Sequence, residues 1–302
     1  MEQNRFRVLS IQSHVVCGYV GNKSATFPLQ VLGFEVDAIN SVQFSNHTGY
    51  EHVKGQVLES SDLGELFLGL TMNDIHHYSH LLTGYCCSES FLNDILIVVK
   101  ELRKKNPALV FVCDPVLGDN GKFYVPESLL QIYRDKIIPL ADVITPNQFE
   151  AELLSGIKIR NEEDAIKATD ILHSKGTKTV IISSTEIGVE GTLTLLASSK
   201  TESGLKRVRL RMPKMEAIFT GTGDLFSCML LAWMAKYPGD LKTACEKTIS
   251  AIHLVLKRTQ KAMTELAGPG NKPTAFQREL RIIDSLDDIR NPPDLFKADE
   301  IH

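Results

Sequence analysis

Two short runs constrain this chain more than any others: Leu109-Val110-Phe111-Val112-Cys113 and Thr179-Val180-Ile181-Ile182-Ser183. Each has the length of a strand and no polar alternation, so each reads as a strand covered on both faces. A sheet covered on both faces needs helices on both, and the spacing supplies them. Ser88 to Lys105 carries Phe91, Ile95, Val98, Val99 and Leu102 on one helical face. Lys23 to Leu32 reads as a helix stopped by Gly33, and Asp62 to Leu70 as one capped by Ser60 or Ser61. Asn161 caps a helix over 162–175, and two more are predicted over 223–236 and 241–266. Shorter helical stretches run from Pro126 to Tyr133 and from Phe276 to Asp284. Further strands are predicted at 7–11, 34–39, 80–83 and 141–145, with Asn40 to Tyr50 as a polar loop. Thr192 to Ala197 and Lys206 to Met212 alternate like a half-exposed antiparallel pair. The expected fold class is α/β: a mostly parallel central sheet with helices on both faces, in three layers.

Ligands of such sheets bind outside the carboxyl ends of the strands. Ser13, Thr83-Gly84-Tyr85, Asp114, Thr145 to Asn147 and Ser183-Ser184 are expected just past those ends, lining one crevice. Phe219-Thr220-Gly221-Thr222-Gly223-Asp224-Leu225-Phe226 joins them. An extended segment, a glycine turn and a helix start make an anion site, because the first N–H groups of a helix lack internal partners. Asp224 would repel a phosphate if binding were its only task. As a base taking a proton from a hydroxyl, beside N–H groups that hold a phosphoryl group, it makes sense. Phosphoryl transfer to an alcohol is the first reading, and a plain helix-capping aspartate the bland one.

Asp114-Pro115-Val116-Leu117-Gly118-Asp119 puts two carboxylates on one loop, and Asn147 and Glu150 share one side of a first helical turn. Oxygen ligands of this kind suit Mg²⁺ bridging nucleotide phosphates, usually through water. Taken singly, Asn147 with Glu150 also reads as a capping box and Asp114 as a turn former. Convergence on one crevice with the glycine turn favours the functional reading.

Several classes are excluded. With 33 Lys+Arg against 37 Asp+Glu the net charge is −4, and no basic block with interleaved aromatics marks a nucleic-acid binder. No run is long enough to span a membrane. The first residues, Met1-Glu2-Gln3-Asn4-Arg5, lead into an apolar run too short for a secretory signal. Six cysteines without C-x-x-C spacing fit a reducing, cytoplasmic setting. No P-loop, dinucleotide fingerprint or G-x-S-x-G elbow is present. His76-His77-x-x-His80 has metal-like spacing; a solvated loop is the plainer reading and zinc the alternative. Cys86-Cys87 reads as packing rather than redox chemistry.

With these motifs in place the chain resembles the ribokinase-like kinases and, within them, the pyridoxal kinase family. Ser10 to Val15, Gly18 to Asn22, Ser45 to Tyr50, Thr83 to Tyr85, Cys113 to Asp119, Thr145 to Glu150 and Gly221 to Phe226 carry the resemblance. It runs nearly end to end and implies one kinase domain over 1–302. It also implies ATP-dependent phosphorylation of the 5′-hydroxyl of pyridoxal, pyridoxine and pyridoxamine. On this resemblance Asp224 is the base, and Gly221, Thr222 and Gly223 form the anion hole. Ser13 and Thr48 bond the pyridine's polar edge, Tyr85 stacks on the ring, and Val42 and Phe44 supply apolar wall. Asp114, Asn147, Glu150, Ser183, Ser184 and Thr222 surround ATP phosphates and cations, and Met215, Glu216 and Ala217 lie along the adenine. Asp114 and Glu150 serve Mg²⁺ (or Zn²⁺, or another divalent ion). Asp119, Thr145 and Ser183 match the position of a monovalent cation, K⁺ or Na⁺. Tyr124 matches the tyrosine of a loop that closes over the substrate, although Asp119 to Tyr124 is shorter than in the mammalian-type members. The family implies a homodimer. The rivals are a hydroxymethylpyrimidine-type kinase of the same superfamily and a non-catalytic B6-binding protein.

Overall fold

The structure, a computed structural model, describes residues 6–301. The reading of Met1 to Arg5 therefore lies outside the described residues. The chain runs β1 (Arg7–Val15), α1 (Asn22–Val31), β2 (Glu35–Phe44), β3 (Gly55–Val57), α2 (Ser60–Met72), β4 (His80–Thr83), α3 (Glu89–Lys105) and β5 (Val110–Cys113). A small hairpin of β6 (Gly118–Asp119) and β7 (Lys122–Phe123) follows, then α4 (Leu129–Ile132), β8 (Val143–Ile144), α5 (Gln148–Ser155), α6 (Glu162–Ser174) and β9 (Thr179–Thr185). The rest is β10 (Thr192–Thr201), β11 (Gly204–Pro213), α7 (Thr222–Lys236), α8 (Leu241–Ala267), α9 (Leu286–Arg290) and β12 (Asp299–Ile301).

The main sheet has the order β12-β11-β10-β9-β8-β5-β4-β1-β2-β3. The strands from β2 across to β9 are parallel; β3 at one end and β10, β11 and β12 at the other are antiparallel. Consecutive residues of the central strands face opposite layers, as a two-faced sheet requires. Val8, Leu82, Val112, Val143 and Ile181 pack with Ala25, Leu29, Leu225, Met229 and Ala244 of α1, α7 and α8. Their neighbours Leu9, Leu81, Phe111, Ile144 and Val180 pack with Leu63, Phe67, Phe91, Ile95 and Val99 of α2 and α3. This is the three-layer arrangement that the two apolar runs predict. Strand order reverses between β1 and β4, and the crevice beyond their carboxyl ends is where a ligand of such a sheet is expected.

The boundaries differ in instructive places. β1 and β2 run past residues 11 and 39 to Val15 and Phe44. The polar stretch from Asn40 is therefore strand, not loop, because pairing with β3 continues through Phe44. The β1–β2 register slips between Gln12 and His14, a bulge of the kind found beside active sites. Helix α2 starts on a Glu59–Asp62 capping box rather than on serine, while Ser60 bonds Asp94. From Pro126 only Leu129–Ile132 is α-helical, and a π turn (Tyr133–Ile137) takes over. Instead of one helix over 276–284 there are 3₁₀ turns at Phe276–Arg278 and Ile283–Ser285. Glu279 between them is extended. His80 lies inside β4, buried, with burial lowering its pKa to about 4. It packs edge-on to Phe6 and Phe34, as a core residue.

Candidate active site

Helix α7 begins on Gly221, whose φ of 84° suits glycine alone. A Cβ there would sit 2.1 Å from the Tyr19 carbonyl oxygen, so the turn is seated directly on the Gly18–Gly21 loop. No side chain caps the helix. Thr222, Gly223 and Asp224 are its first three residues, so the first-turn N–H groups remain for a ligand. Asp224 is thus not the capping residue that the bland reading offers. It stands in the first turn, half-buried, with burial pushing its pKa up to about 6 and the Gly21 N–H pulling it back.

Asp114 lies just past β5 and faces that turn. A Cβ on Gly223 would touch its Oδ2 at 3.4 Å. Burial, then the charges of Glu150 and Asp224, raise the Asp114 pKa well above the usual carboxylate range. Three carboxylates therefore share one crevice floor, and none has an ion-pair partner among the described residues. Buried like charges without a counter-charge favour either protons or a cation.

Asn147 and Glu150 do form a capping box on α5, with Glu150 N–H donating to Asn147 Oδ1 at 2.9 Å and Asn147 N–H to Glu150 Oε2 at 2.9 Å. The box is also tied across the crevice. Leu117 N–H donates to Glu150 Oε1 at 2.9 Å, and Asn147 Nδ2 donates to the Gly118 carbonyl at 2.8 Å. Burial raises the Glu150 pKa to about 7 against these backbone N–H groups, which lower it. With its oxygens already accepting N–H bonds, Glu150 suits a cation held through water better than a directly bound one.

Thr145 stands beside Asp114, its Oγ1 buried without a well-formed hydrogen bond to any described atom. A buried hydroxyl next to an over-supply of carboxylate fits oxygen coordination of a hard cation. Asp119, at the β6–β7 hairpin, places a further negative charge near Glu150 and so raises its pKa. Its own oxygens accept from Asn120 N–H and Nδ2. Ser183 N–H donates to the Pro146 carbonyl at 2.9 Å, which ties β9 to the same corner.

Ser13 and the pair Ser183-Ser184 lie within β1 and β9 rather than past their ends. Ser13 falls at the register slip, where a Cβ on Gly21 would meet its carbonyl oxygen at 2.0 Å. Val42 and Phe44 point to one side of β2, Val42 buried and Phe44 half-buried. Tyr85 follows β4, half-buried, and its carbonyl accepts from Ser41 Oγ at 2.7 Å. Thr48 is exposed on the turn beyond β2, and Met215, Glu216 and Ala217 follow β11 at the surface. Tyr124 is 59% exposed just after the β6–β7 hairpin. That hairpin turns on Asn120 (φ 49°) and Gly121 (φ 78°), a two-residue turn with both central φ angles positive.

Sequence reasoning gave no role to Tyr19, Gly21, His47, Tyr50 or Glu279. Glu279 accepts from Tyr19 N–H and from Tyr50 Oη, both at 2.9 Å, across separations of 260 and 229 residues. No local pattern signals such a contact.

Comparison with known proteins shows what the whole chain is similar to. The family model described as phosphomethylpyrimidine kinase matches residues 74–271. A pyridoxal kinase of Bos taurus is 54% identical over 304 residues, covering 97% of this chain and 97% of the relative. The Homo sapiens pyridoxal kinase is 53% identical over 304 residues, again with 97% of each covered. The structure of a Leishmania donovani pyridoxal kinase in complex with ADP and pyridoxamine superposes with a TM-score of 0.91 at 36% identity, over 98% of this chain and 99% of that one. Likeness of this extent over nearly the whole length settles the lineage: the chain belongs to the pyridoxal kinase family.

Proposed function

We propose that this chain is an ATP-dependent kinase that phosphorylates the 5′-hydroxyl of pyridoxal, pyridoxine and pyridoxamine, a B6 salvage reaction yielding the 5′-phosphates. The observation that carries it is Asp224 in the uncapped first turn of α7, facing Asp114 across Gly223. Asp224 takes the proton of the acceptor hydroxyl, and the N–H groups of Gly221, Thr222 and Gly223 hold the transferred phosphoryl group. A divalent ion would supply charge neutralisation at the ATP phosphates. Asp114 and Glu150 are its protein partners, Glu150 through water. Mg²⁺ is the proposed ion, with K⁺ or Na⁺ near Thr145, Asp119 and Ser183. Asn147, Ser183, Ser184 and Thr222 surround the triphosphate, and Met215, Glu216 and Ala217 lie along the adenine.

On the acceptor side, Val42, Phe44 and Tyr85 make a wall for a flat aromatic ring, with Ser13 and Thr48 bonding its polar edge. Tyr124, exposed beyond its hairpin, closes over the ring and keeps water from competing with the alcohol. The kinase domain spans 1–302, works in the cytoplasm and pairs as a homodimer. No helix among the described residues is long and apolar enough to cross a membrane.

The test is ATP consumption by the purified protein with pyridoxal, pyridoxine, pyridoxamine and hydroxymethylpyrimidine in parallel, with Mg²⁺ and K⁺ present. The expected result is turnover on the three vitamers. Turnover on the pyrimidine alone would move the chain to the neighbouring branch. Tight pyridoxal binding with no turnover would make it a binding protein.

A further inference from the structure

Glu279 is a carboxylate in the wrong place for a surface residue. It sits in the tail, 5% exposed, and no lysine or arginine pairs with it among the described residues. Its oxygens are instead satisfied by two loops from the other end of the chain. Oε2 accepts from Tyr19 N–H at 2.9 Å. Oε1 accepts from Tyr50 Oη at 2.9 Å and faces His47 Nε2 at 3.4 Å. Gly49 N–H donates to His47 Nδ1 at 3.0 Å, which leaves the ring proton on Nε2, directed at Glu279. The approach is close on the Gly18 side as well, where a Cβ would lie 2.2 Å from Oε1. A buried carboxylate is tolerated only when its oxygens are satisfied in this way.

Both loops lead into the site. The Tyr19 carbonyl is the surface on which Gly221 rests, and the Gly21 N–H reaches Asp224. The turn from His47 to Tyr50 carries Thr48. We propose that Glu279 is a positioning residue for the acceptor. One carboxylate from the tail sets both the loop beneath the phosphoryl-transfer turn and the turn that bonds the pyridine edge. This rests on the kinase reading above for what the acceptor is. It adds a residue, remote in sequence, that governs the vitamer without touching it.

The test compares wild type with Glu279→Ala, Glu279→Gln and Tyr50→Phe. Steady-state kinetics give the separate KM values for pyridoxal and ATP, and hydrogen exchange reports on segments 17–21 and 45–52. The loss of a charge-assisted bond predicts that Glu279→Ala cuts kcat/KM for pyridoxal about tenfold or more, with the KM for ATP within about twofold. Exchange in both segments should quicken. Glu279→Gln keeps one acceptor oxygen but turns an NH2 donor toward the other donors, so it should show a smaller loss in the same direction. The effect of Tyr50→Phe should shrink in the Glu279→Ala background, since the two share one bond. Equal loss toward both substrates would mean a general structural role and overturn the proposal, as would unchanged exchange in either segment. If Glu279→Ala does not fold, Glu279→Gln and Tyr50→Phe decide by the same criteria. A wild type that turns over no vitamer refutes the kinase reading alone, and the exchange comparison still decides whether Glu279 holds the two loops.

Discussion

At the scale of single residues, the site is a problem of placing negative charge. Asp224, Asp114 and Glu150 all have raised pKa values, burial being the first cause for each. In its proposed role as base Asp224 must be deprotonated to act, and burial pushes its pKa up to about 6. Activity should therefore fall as pH drops through about 6. Measured as kcat/KM for pyridoxal at low MgATP, the acidic limb should lie near that value, and it should move down when MgATP saturates, because a nearby cation favours the charged form. Asp224→Asn should lose ~10²–10⁴-fold in kcat and retain nucleotide binding by calorimetry. Near-normal turnover in that variant would remove Asp224 from its role. The residue types of this cluster were legible in the sequence. The double use of Glu150, as helix cap and as cross-crevice tie to Leu117, was not, since a capping box looks the same whichever third partner it holds.

At the scale of elements, function depends on turns more than on strands. Gly221 lies at φ 84° with the Tyr19 carbonyl where a Cβ would go. Gly221→Ala should lower stability by ~1–3 kcal/mol, read by denaturant titration. It should also cost about a hundredfold in kcat, because misaligned N–H groups no longer meet the phosphoryl oxygens. A variant that kept full activity would show that the turn tolerates displacement. The helices with clear periodicity, such as α3 with its Ser88 cap, stand where the pattern puts them. The same holds for α6 with its Asn161 cap. Asn40, Ser41 and Gln43 look like loop residues, yet they are the end of β2. Partners on β1 and β3 override that local preference. The Asn120-Gly121 hairpin carried a readable signal, the strongest short-range one for a two-residue turn.

At the scale of the whole molecule, the tail completes both the core and the site. Leu280, Ile282 and Ile289 are fully buried in the layer formed by α1, α7 and α8. Each such side chain contributes ~1.5–3 kcal/mol, so removing residues 274–302 should destabilise the protein on the order of its entire stability. The expected outcome is a chain that expresses poorly and melts without a cooperative transition; a cooperatively folded, active truncation would contradict it. The tail was the least legible part of the sequence because its contacts are long-range and its turns are short. The layered architecture, which rests on repeated apolar runs, was the most legible. β12 itself covers only Arg207 to Arg209 of β11, where Arg209 pairs with Glu162 and Asp299. Residues 276–301 are made after the sheet they finish, so there is an interval in biosynthesis when β11 is an uncovered edge. Lys206, Arg207, Arg209 and Arg211 stud that strand with positive charge, the pattern by which natural sheets resist pairing with another chain's strand. Arg209, which later holds Asp299 of the tail, is thus one of a charged row that disfavours edge pairing before the tail arrives.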